Sequence, residues 1–417
     1  MKYQSIKGTK DILPGEVESW RNLERTIHAV MHAYQYREIR TPVFETTALF
    51  SRSIGELTDI VSKEMYTFTD RGQESLTLRP EGTAAVLRSY LQHNIGEASP
   101  LSKLYYLGPM FRQERPQAGR LRQFHQYGAE AIGSQEALAD AEIVLLVQQI
   151  LRAAGLTDFS LVINSVGCEK CRPPYRATLA KYLQDRVASL SDESRARLEL
   201  NPLRVLDSKD ERDRHATADA PLIKDHLCPE CRAHFDDLQD VLRDTGAPFT
   251  VDGRLVRGLD YYTKTAFEIT SSSLGAQDAL AGGGRYDLLI EQLGGKRTPA
   301  VGFAAGVERL LITLEKKNAV PATPQGPRLY VVALGEPARR WAFRKTLELR
   351  NKGFAIEMDY LGRSVKAQMR DANRCRAPYV LVVGDNELAT GTLMLKVMAS
   401  GQEIPVTESQ IEPHLKA

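Results

Sequence analysis

The densest chemistry in this 417-residue chain lies between positions 112 and 130, which read RQERPQAGRLRQFHQYGAE. Arg112, Arg115, Arg120 and Arg122 crowd guanidinium groups into a short loop and its flanks. Arginine stays charged at any working pH and offers a planar fork of donors that matches phosphate and carboxylate. Beyond the loop, side chains of a strand would alternate between faces. Arg122, Phe124, Gln126 and Glu130 then share one face, while Gln123, His125, Tyr127 and Ala129 share the other. A core strand would carry aliphatic residues on one side. A cation, a ring, an amide and a carboxylate together suit a ligand with phosphates, a ring and a hydrogen-bonding head. They also fit a solvated polar face with scattered arginines.

The cysteines form a second constellation. Cys168-x-x-Cys171 and Cys228-x-x-Cys231 are two knuckle-like pairs, and 56 residues separate Cys171 from Cys228. In a reducing compartment such pairs suggest a tetrahedral four-thiolate zinc site. The spacing exceeds that of an ordinary finger, so the intervening chain has to fold back on itself. Four reduced thiols are the alternative. Cys375 has no sequence partner and reads as a core residue.

These groups need elements to hold them. Val17, Trp20, Leu23, Ile27, Val30, Met31 and Tyr34 recur at three- and four-residue steps, which predicts a helix with Pro14 in its first turn. The extended piece EIRTPVFE carries Pro42. MYTFTD and SLTLRPE around Arg71 and Gly72 read as a hairpin, followed by a helix from about Gly82 to Gln92. Two strands flank the basic loop Glu114 to Arg120, and Ala137 to Ala154 predicts a helix. SKDERDRHATADAP is expected to be a mobile loop. LVRGLDYYTKTAFEIT reads as a strand, AGGGRYD as a glycine-rich turn entering a helix, and TPAVGFAAGVERLLITLEKK as turn, strand and helix. After the proline-rich NAVPATPQGP, strands and helices alternate, as in a small α/β domain with a largely parallel sheet. The expected organisation is a core in two parts, 1–166 and 249–320, an insertion at 167–248 holding four cysteines, a linker at 321–327 and a final domain at 328–417.

Composition bounds the rest. With 55 basic and 53 acidic residues the net charge is +2, which excludes a polycationic tail binder but not a nucleic-acid partner, since patches matter more than totals. Five cysteines are too few for a disulfide scaffold. MKYQSIKGTKDILPGE has no apolar core of signal-peptide length, and no stretch nears the ~18–20 apolar residues of a membrane span. A cytoplasmic protein is expected.

Several segments carry a family resemblance. FRQERPQAGRLRQFHQ closely resembles motif two of class II aminoacyl-tRNA synthetases in its histidyl form. LVRGLDYYT and GGGRYD resemble the two signature segments of histidyl-tRNA synthetases, and GFAAGVERL resembles motif three. The helix and strand ending at Pro42 resemble motif one, the family's dimer interface, and KGTKDILP and RPEGT match as well. The resemblance implies an α+β catalytic domain on an antiparallel sheet, an inserted domain and a C-terminal α/β anticodon-binding domain. It implies ATP with Mg2+ activating L-histidine to the adenylate, then transfer to the 3′ end of tRNA(His), by a homodimer with no membrane partner.

By the same resemblance, Arg112 bridges the α-phosphate and the histidine carboxylate, Arg120 and Arg309 hold the outer phosphates, and Phe124 stacks on adenine. Arg257 reaches the α-phosphate as a fixed cation; a salt bridge to Asp260 is its plainer reading. Glu81, Thr83 and Gln126 grip the α-amino group, while Glu130 and Tyr262, with Tyr261 and Tyr286 beside them, read the imidazole. Tyr261 and Tyr262 have opposite strand parity, so both reach the site only if the backbone bends, as at Gly258. Arg115 and Gln117 meet the acceptor end of the tRNA. His125 lies on the opposite parity and reads as structural. Arg363, Lys366, Arg370, Arg374 and Arg376 belong to the domain expected to grip the anticodon. The competing readings are a histidyl-synthetase-like regulatory subunit of ATP phosphoribosyltransferase and a glycyl, threonyl or prolyl synthetase. The intact arginines, the signature segments and the C-terminal domain argue against both.

Overall fold

The computed structural model describes residues 3–55, 58, 60–117, 119–206, 208, 210–256, 259, 261–272, 279–317 and 326–416. Arg257, Gly258 and Asp260, and residues 318–325 of the linker region, lie outside the described residues. The chain divides into two units, Met1–Pro321 and Ala322–Ala417.

The strands of the first unit are β1 (Arg37–Glu38), β2 (Phe44–Thr46), β3 (Tyr66–Thr69), β4 (Ser75–Leu78), β5 (Ser102–Phe111), β6 (Gln123–Ile132), β7 (Ser160–Ser165), β8 (Thr250–Val251), β9 (Thr263–Thr270), β10 (Ala279–Arg285) and β11 (Ala300–Gly306). Eight of them form one sheet in the order β1-β5-β6-β11-β10-β9-β7-β8. Its middle is antiparallel, and the edge pairs β1/β5 and β7/β8 are parallel. A small sheet, β2-β4-β3, stands beside it.

Alternation gives the large sheet two unlike faces. Tyr127, Ala129, Val301, Phe303, Phe267 and Ile269 share a hydrophobic cluster with the helices Val17–Ala33, Ala137–Ala153 and Pro229–Asp244. Each wholly buried aliphatic there, such as Leu146 or Ile150, contributes about 1.5–3 kcal/mol of transfer free energy. On the other face the neighbours are small. Gly302 pairs with Glu130, Ala304 with Gly128, Gly306 with Gln126, and Gly282 with Ala304. That face is left open to form a floor.

The second unit has a five-stranded sheet of β12 (Leu329–Ala333), β13 (Ile356–Met358), β14 (Tyr379–Val383), β15 (Leu393–Val397) and β16 (Glu403–Val406), in the order β13-β12-β14-β15-β16. The first three strands run parallel and the last two antiparallel. Helices Glu336–Asn351 and Val365–Arg374 accompany it.

Four expectations change. Pro14 precedes the first helix in a turn, because the helix starts at Val17. AGGGRYD does not form a turn: its glycines run through β10, hydrogen-bonded between β9 and β11. A Cβ at Gly283 would collide with the Gly302 carbonyl, so the close approach selects glycine where propensity argues against a strand. SKDERDRHATADAP contains the helix Glu211–Ala216. Its Asp213 is buried and accepts hydrogen bonds from Ser191, Ser194 and Ser208. Finally, β9 starts only at Thr263, so Tyr261 and Tyr262 precede the pleat and strand parity does not govern them.

Candidate active site

The open face of the large sheet carries a cleft with about 970 Å³ of empty space, part of it open to solvent. The hairpin β5–β6 supplies one wall, the start of helix Thr83–Gln92 an end, and β10 and β11 the floor.

At one end three guanidiniums converge. Arg112, just past β5, donates from Nε to the Pro80 carbonyl at 2.9 Å and stacks over Phe124 with its Cζ 5.3 Å from the ring centre. Arg120 pairs with Glu114 at 3.3 Å, and Arg112 lies 3.7 Å from the same carboxylate. Arg309, in the first turn of helix Val307–Lys316, donates to the carbonyls of Gly119 at 3.1 Å and Ala279 at 2.8 Å. Burial, and then the charges of Arg120 and Arg112, lower the Arg309 pKa. The three guanidiniums gather beside Glu114, with the carboxylates of Glu268 and Glu308 nearby, in a partly dry groove where arginine forks can meet phosphate oxygens.

The other end is lined by aromatic rings with two buried carboxyl groups among them. Tyr261 stacks near Tyr262 at 4.7 Å and meets Tyr286 edge-on at 5.5 Å. Glu130 is 0% exposed and accepts hydrogen bonds from Thr83 Oγ1 at 2.7 Å and from the Tyr286 hydroxyl. Burial pushes its carboxyl up to about 8, against the opposing pull of the Tyr286 and Thr83 hydrogen bonds. Gly302 makes the carboxylate fit, because a Cβ there would occupy the place of Glu130 Oε2. Glu81 accepts the amides of Thr83 and Ala84 at 2.6 and 2.9 Å, fixing its carboxylate at the helix start. Burial raises its pKa, and those amides oppose the rise. Gln126 lines the cleft, and its Oε1 is buried with no hydrogen-bond partner among the described residues, an acceptor awaiting a donor.

The structure therefore brings Glu81, Thr83, Arg112, Arg120, Phe124 and Gln126 to one cleft with Tyr261, Tyr262, Tyr286 and Arg309. Glu130 joins them through Thr83 and Tyr286 rather than on the wall itself. Arg115 and Gln117 are exposed and do not line the cleft; Gln117 pairs through its backbone with Arg120. His125 faces away, its Nδ1 3.0 Å from Glu308 and its ring edge-on to Trp20.

A family model described as Histidyl-tRNA synthetase matches residues 8–310, and another, described as Anticodon binding domain, matches residues 329–417. The chain belongs to the histidyl-tRNA synthetase family. It is 51% identical over 414 residues to the histidine–tRNA ligase of Chloroherpeton thalassium, covering 99% of this chain and 97% of that one. It is 49% identical over 407 residues to that of Halothermothrix orenii, covering 97% of each. Among solved structures it resembles apo histidyl-tRNA synthetase of S. aureus, with 38% identity, a TM-score of 0.85 and full coverage of both chains. The architecture is the class II synthetase fold, whose family uses ATP with Mg2+, and no helix among the described residues is long and apolar enough to cross a membrane.

In this synthetase, pattern reading of the sequence missed Arg285. Its guanidinium is 0% exposed and pairs with Asp140, with Asp287 at 3.1 Å and with the Ser134 carbonyl at 2.7 Å. His234 Nε2 lies 3.4 Å from Asp140 and 3.3 Å from Thr265 Oγ1. This buried set ties helices Ala137–Ala153 and Pro229–Asp244 to the end of β10, one residue before Tyr286. The arginine inside GGGRYD was the available signal.

The four cysteines also converge. All four sulfurs lie within 4.8 Å of one another. Burial tends to raise the Cys228 thiol, but hydrogen bonds from the Cys231 backbone and the neighbouring thiols bring it down to about 7. Burial instead holds Cys171 and Cys231 above the ordinary thiol range. Cys375 is half-buried and donates to the Ala372 carbonyl.

Proposed function

We propose that the cleft holds histidine at its aromatic end and Mg2+-bound ATP at its arginine end, so that the two reacting atoms meet beside Arg112. A histidine carboxylate oxygen attacks the α-phosphorus, and the bond to the bridging oxygen breaks as pyrophosphate leaves. Chemistry of this kind depends on positioning and on neutralising charge. Arg112 is the bridge between carboxylate and α-phosphate, Arg120 and Arg309 neutralise the outer phosphates, and Phe124 stacks on adenine. Arg257 is assigned to the α-phosphate from its place in RGLDYY. Glu81 neutralises the α-ammonium while Thr83 and the unpartnered Gln126 Oε1 accept from it.

Neutral imidazole offers one donor and one acceptor. Glu130 with Tyr286, and Tyr262 with Tyr261, answer both, and a site that pairs both rejects amino acids lacking them. The 3′ hydroxyl of tRNA(His) then attacks the acyl carbonyl and AMP leaves, with a phosphate oxygen of the adenylate taking the proton. Arg115 and Gln117, exposed on the motif-two loop, are assigned to the acceptor end. The four cysteines are candidate ligands of a structural zinc ion, and the working form is a cytoplasmic homodimer.

The observation that carries this reading is the juxtaposition of a buried, hydroxyl-bonded carboxylate with three converging arginines in one cleft. Histidine-dependent exchange of pyrophosphate into ATP tests it. Exchange with histidine and none with glycine, threonine or proline is expected. No histidine-dependent exchange, with stimulation of ATP phosphoribosyltransferase in its place, would overturn it in favour of the regulatory reading.

A further inference from the structure

We propose that Cys168, Cys171, Cys228 and Cys231 bind one zinc ion as four thiolates, and that this ion clasps the base of the helical insert and holds the Tyr262 wall of the cleft in position. The second half rests on the reading of that wall as part of the histidine site.

The sulfur geometry argues for a metal. Cys168 Sγ lies 3.7 Å from Cys171 Sγ and 3.9 Å from Cys228 Sγ. With Zn–S bonds of about 2.3 Å, the edge of a tetrahedral sulfur cage is about 3.8 Å. A disulfide would need sulfurs at about 2.05 Å. Cys171 and Cys231 are buried, and Cys168 and Cys228 are half-buried, so an ion has a path in. The cage also has its outer hydrogen bonds in place. The amide of Cys228 donates to Cys171 Sγ at 3.1 Å, and that of Lys170 to Cys168 Sγ at 3.4 Å. Donors of this kind stabilise thiolate ligands and orient them. Gly167 turns the chain into the first knuckle with φ +67°.

The cage stands at a junction. The first knuckle follows β7 and opens the helix Arg172–Gln184. The chain then builds a hydrophobic cluster of its own from Tyr175 to Ile223. Cys228 caps the helix Pro229–Asp244, which packs back into the core of the large sheet. An ion joining the knuckles closes this excursion at its neck, where Lys170 also pairs with Glu230 at 3.3 Å.

The junction reaches the cleft through Arg172, the residue after Cys171. Its Nε donates to the Val166 carbonyl at 3.2 Å, and its NH2 group donates to the carbonyl of Tyr262. The backbone adds two bonds, Val166 N to the Lys264 carbonyl at 2.7 Å and Lys264 N to the Gly167 carbonyl at 2.8 Å. The knuckle and the residues leading into it are thus bonded at the Tyr262 carbonyl and at Lys264, which anchors the chain where it leaves the two tyrosines and enters β9. Arg172 acts as a positioning residue for that wall.

The test uses the full-length chain purified under reducing, chelator-free conditions. About one zinc per chain is expected, and the cobalt-exchanged protein should absorb as a tetrahedral thiolate complex. Chelator-stripped enzyme and the Cys228→Ser variant should show a histidine KM raised about tenfold, with the ATP KM moved less than about twofold. Zinc should restore the stripped enzyme. Arg172→Ala should reproduce the same split while keeping its metal, which separates positioning from metal-dependent folding. Zinc near zero with four freely titrating thiols would overturn the metal site. A retained zinc whose removal leaves the histidine KM unchanged would overturn the positioning role. Metal content does not depend on what the cleft binds. An untreated enzyme without histidine-dependent exchange would instead overturn the pocket reading and, with it, the positioning role.

Discussion

At the aromatic end of the cleft, Glu130, Thr83 and Tyr286 are buried and bonded to one another before any ligand arrives. At the arginine end, Arg112, Arg120 and Arg309 lean on one carboxylate and on backbone carbonyls, in a groove that solvent reaches. The first end selects by fixed hydrogen-bond geometry, and it is costly to leave such a group unpaired. The second selects by charge, which tolerates small displacements but is screened by salt. Damage to the two ends should therefore have different kinetic signatures.

The largest effect is expected from losing an arginine assigned to the α-phosphate. Arg257→Ala should lower histidine-dependent pyrophosphate exchange about a hundred- to thousandfold while histidine binding, followed by calorimetry, stays mostly intact; Arg112→Ala should lower exchange as far and weaken histidine binding as well, because the same guanidinium is assigned to the carboxylate. Near-normal exchange in either variant would remove that residue from the mechanism. Next come breaks at the aromatic end, which should appear in the histidine KM and spare the ATP KM. Glu130→Gln and Gly302→Ala should each cost roughly a hundredfold in kcat/KM for histidine, the first by weakening a buried acceptor and the second by displacing it. If Gly302→Ala raised both KM values together, the two ends would not be independent.

A smaller contrast concerns the second unit. Arg363 is paired with Asp359 and Asp371, and Arg374 with Asp371, whereas Lys366 and Arg370 are exposed. The double variant Lys366→Ala, Arg370→Ala should lower kcat/KM for tRNA charging about tenfold and flatten its salt dependence, with pyrophosphate exchange unchanged.

The remaining effect is thermodynamic and is read in stability rather than in rate. Burial raises the Glu130 carboxyl from 4.5 to about 8, so the folded chain keeps a proton that the unfolded chain releases. Its contribution to stability is complete below the unfolded value and is lost as pH rises through the folded one. Between about pH 4.5 and pH 8, Tm should fall more steeply in the parent than in Glu130→Gln. Parallel melting profiles would show that the carboxyl is not held protonated.

How far the sequence could be read follows the same division. Hairpin parity was enough to put Phe124, Gln126 and Glu130 on one face, because β5 and β6 pair without a bulge from Ser102 to Ile132. Strand parity gave the wrong guide at Tyr261 and Tyr262, where the pleat has not yet begun. The glycines of β10 carry no strand signal of their own, since sheet neighbours impose their conformation. Arg285 was hidden with them, its partner Asp140 being far away in sequence. The segment containing Asp213 read as solvent-loving because the serines that satisfy its carboxylate lie outside that segment's own helix. Local pattern was thus sufficient where an element repeats, and insufficient where a buried charge meets a distant partner.

Gly302 gives specificity an evolutionary dimension. Every single-base change in a glycine codon that yields a different amino acid adds at least a Cβ, and at this position a Cβ takes the space of the Glu130 carboxylate. The position is closed to one-step mutation while that carboxylate is in use. Altering Glu130 alone would not release it, because the same Cβ would lie 2.6 Å from the Ala129 carbonyl, so a lineage changing its amino acid would have to shift the β6 backbone as well.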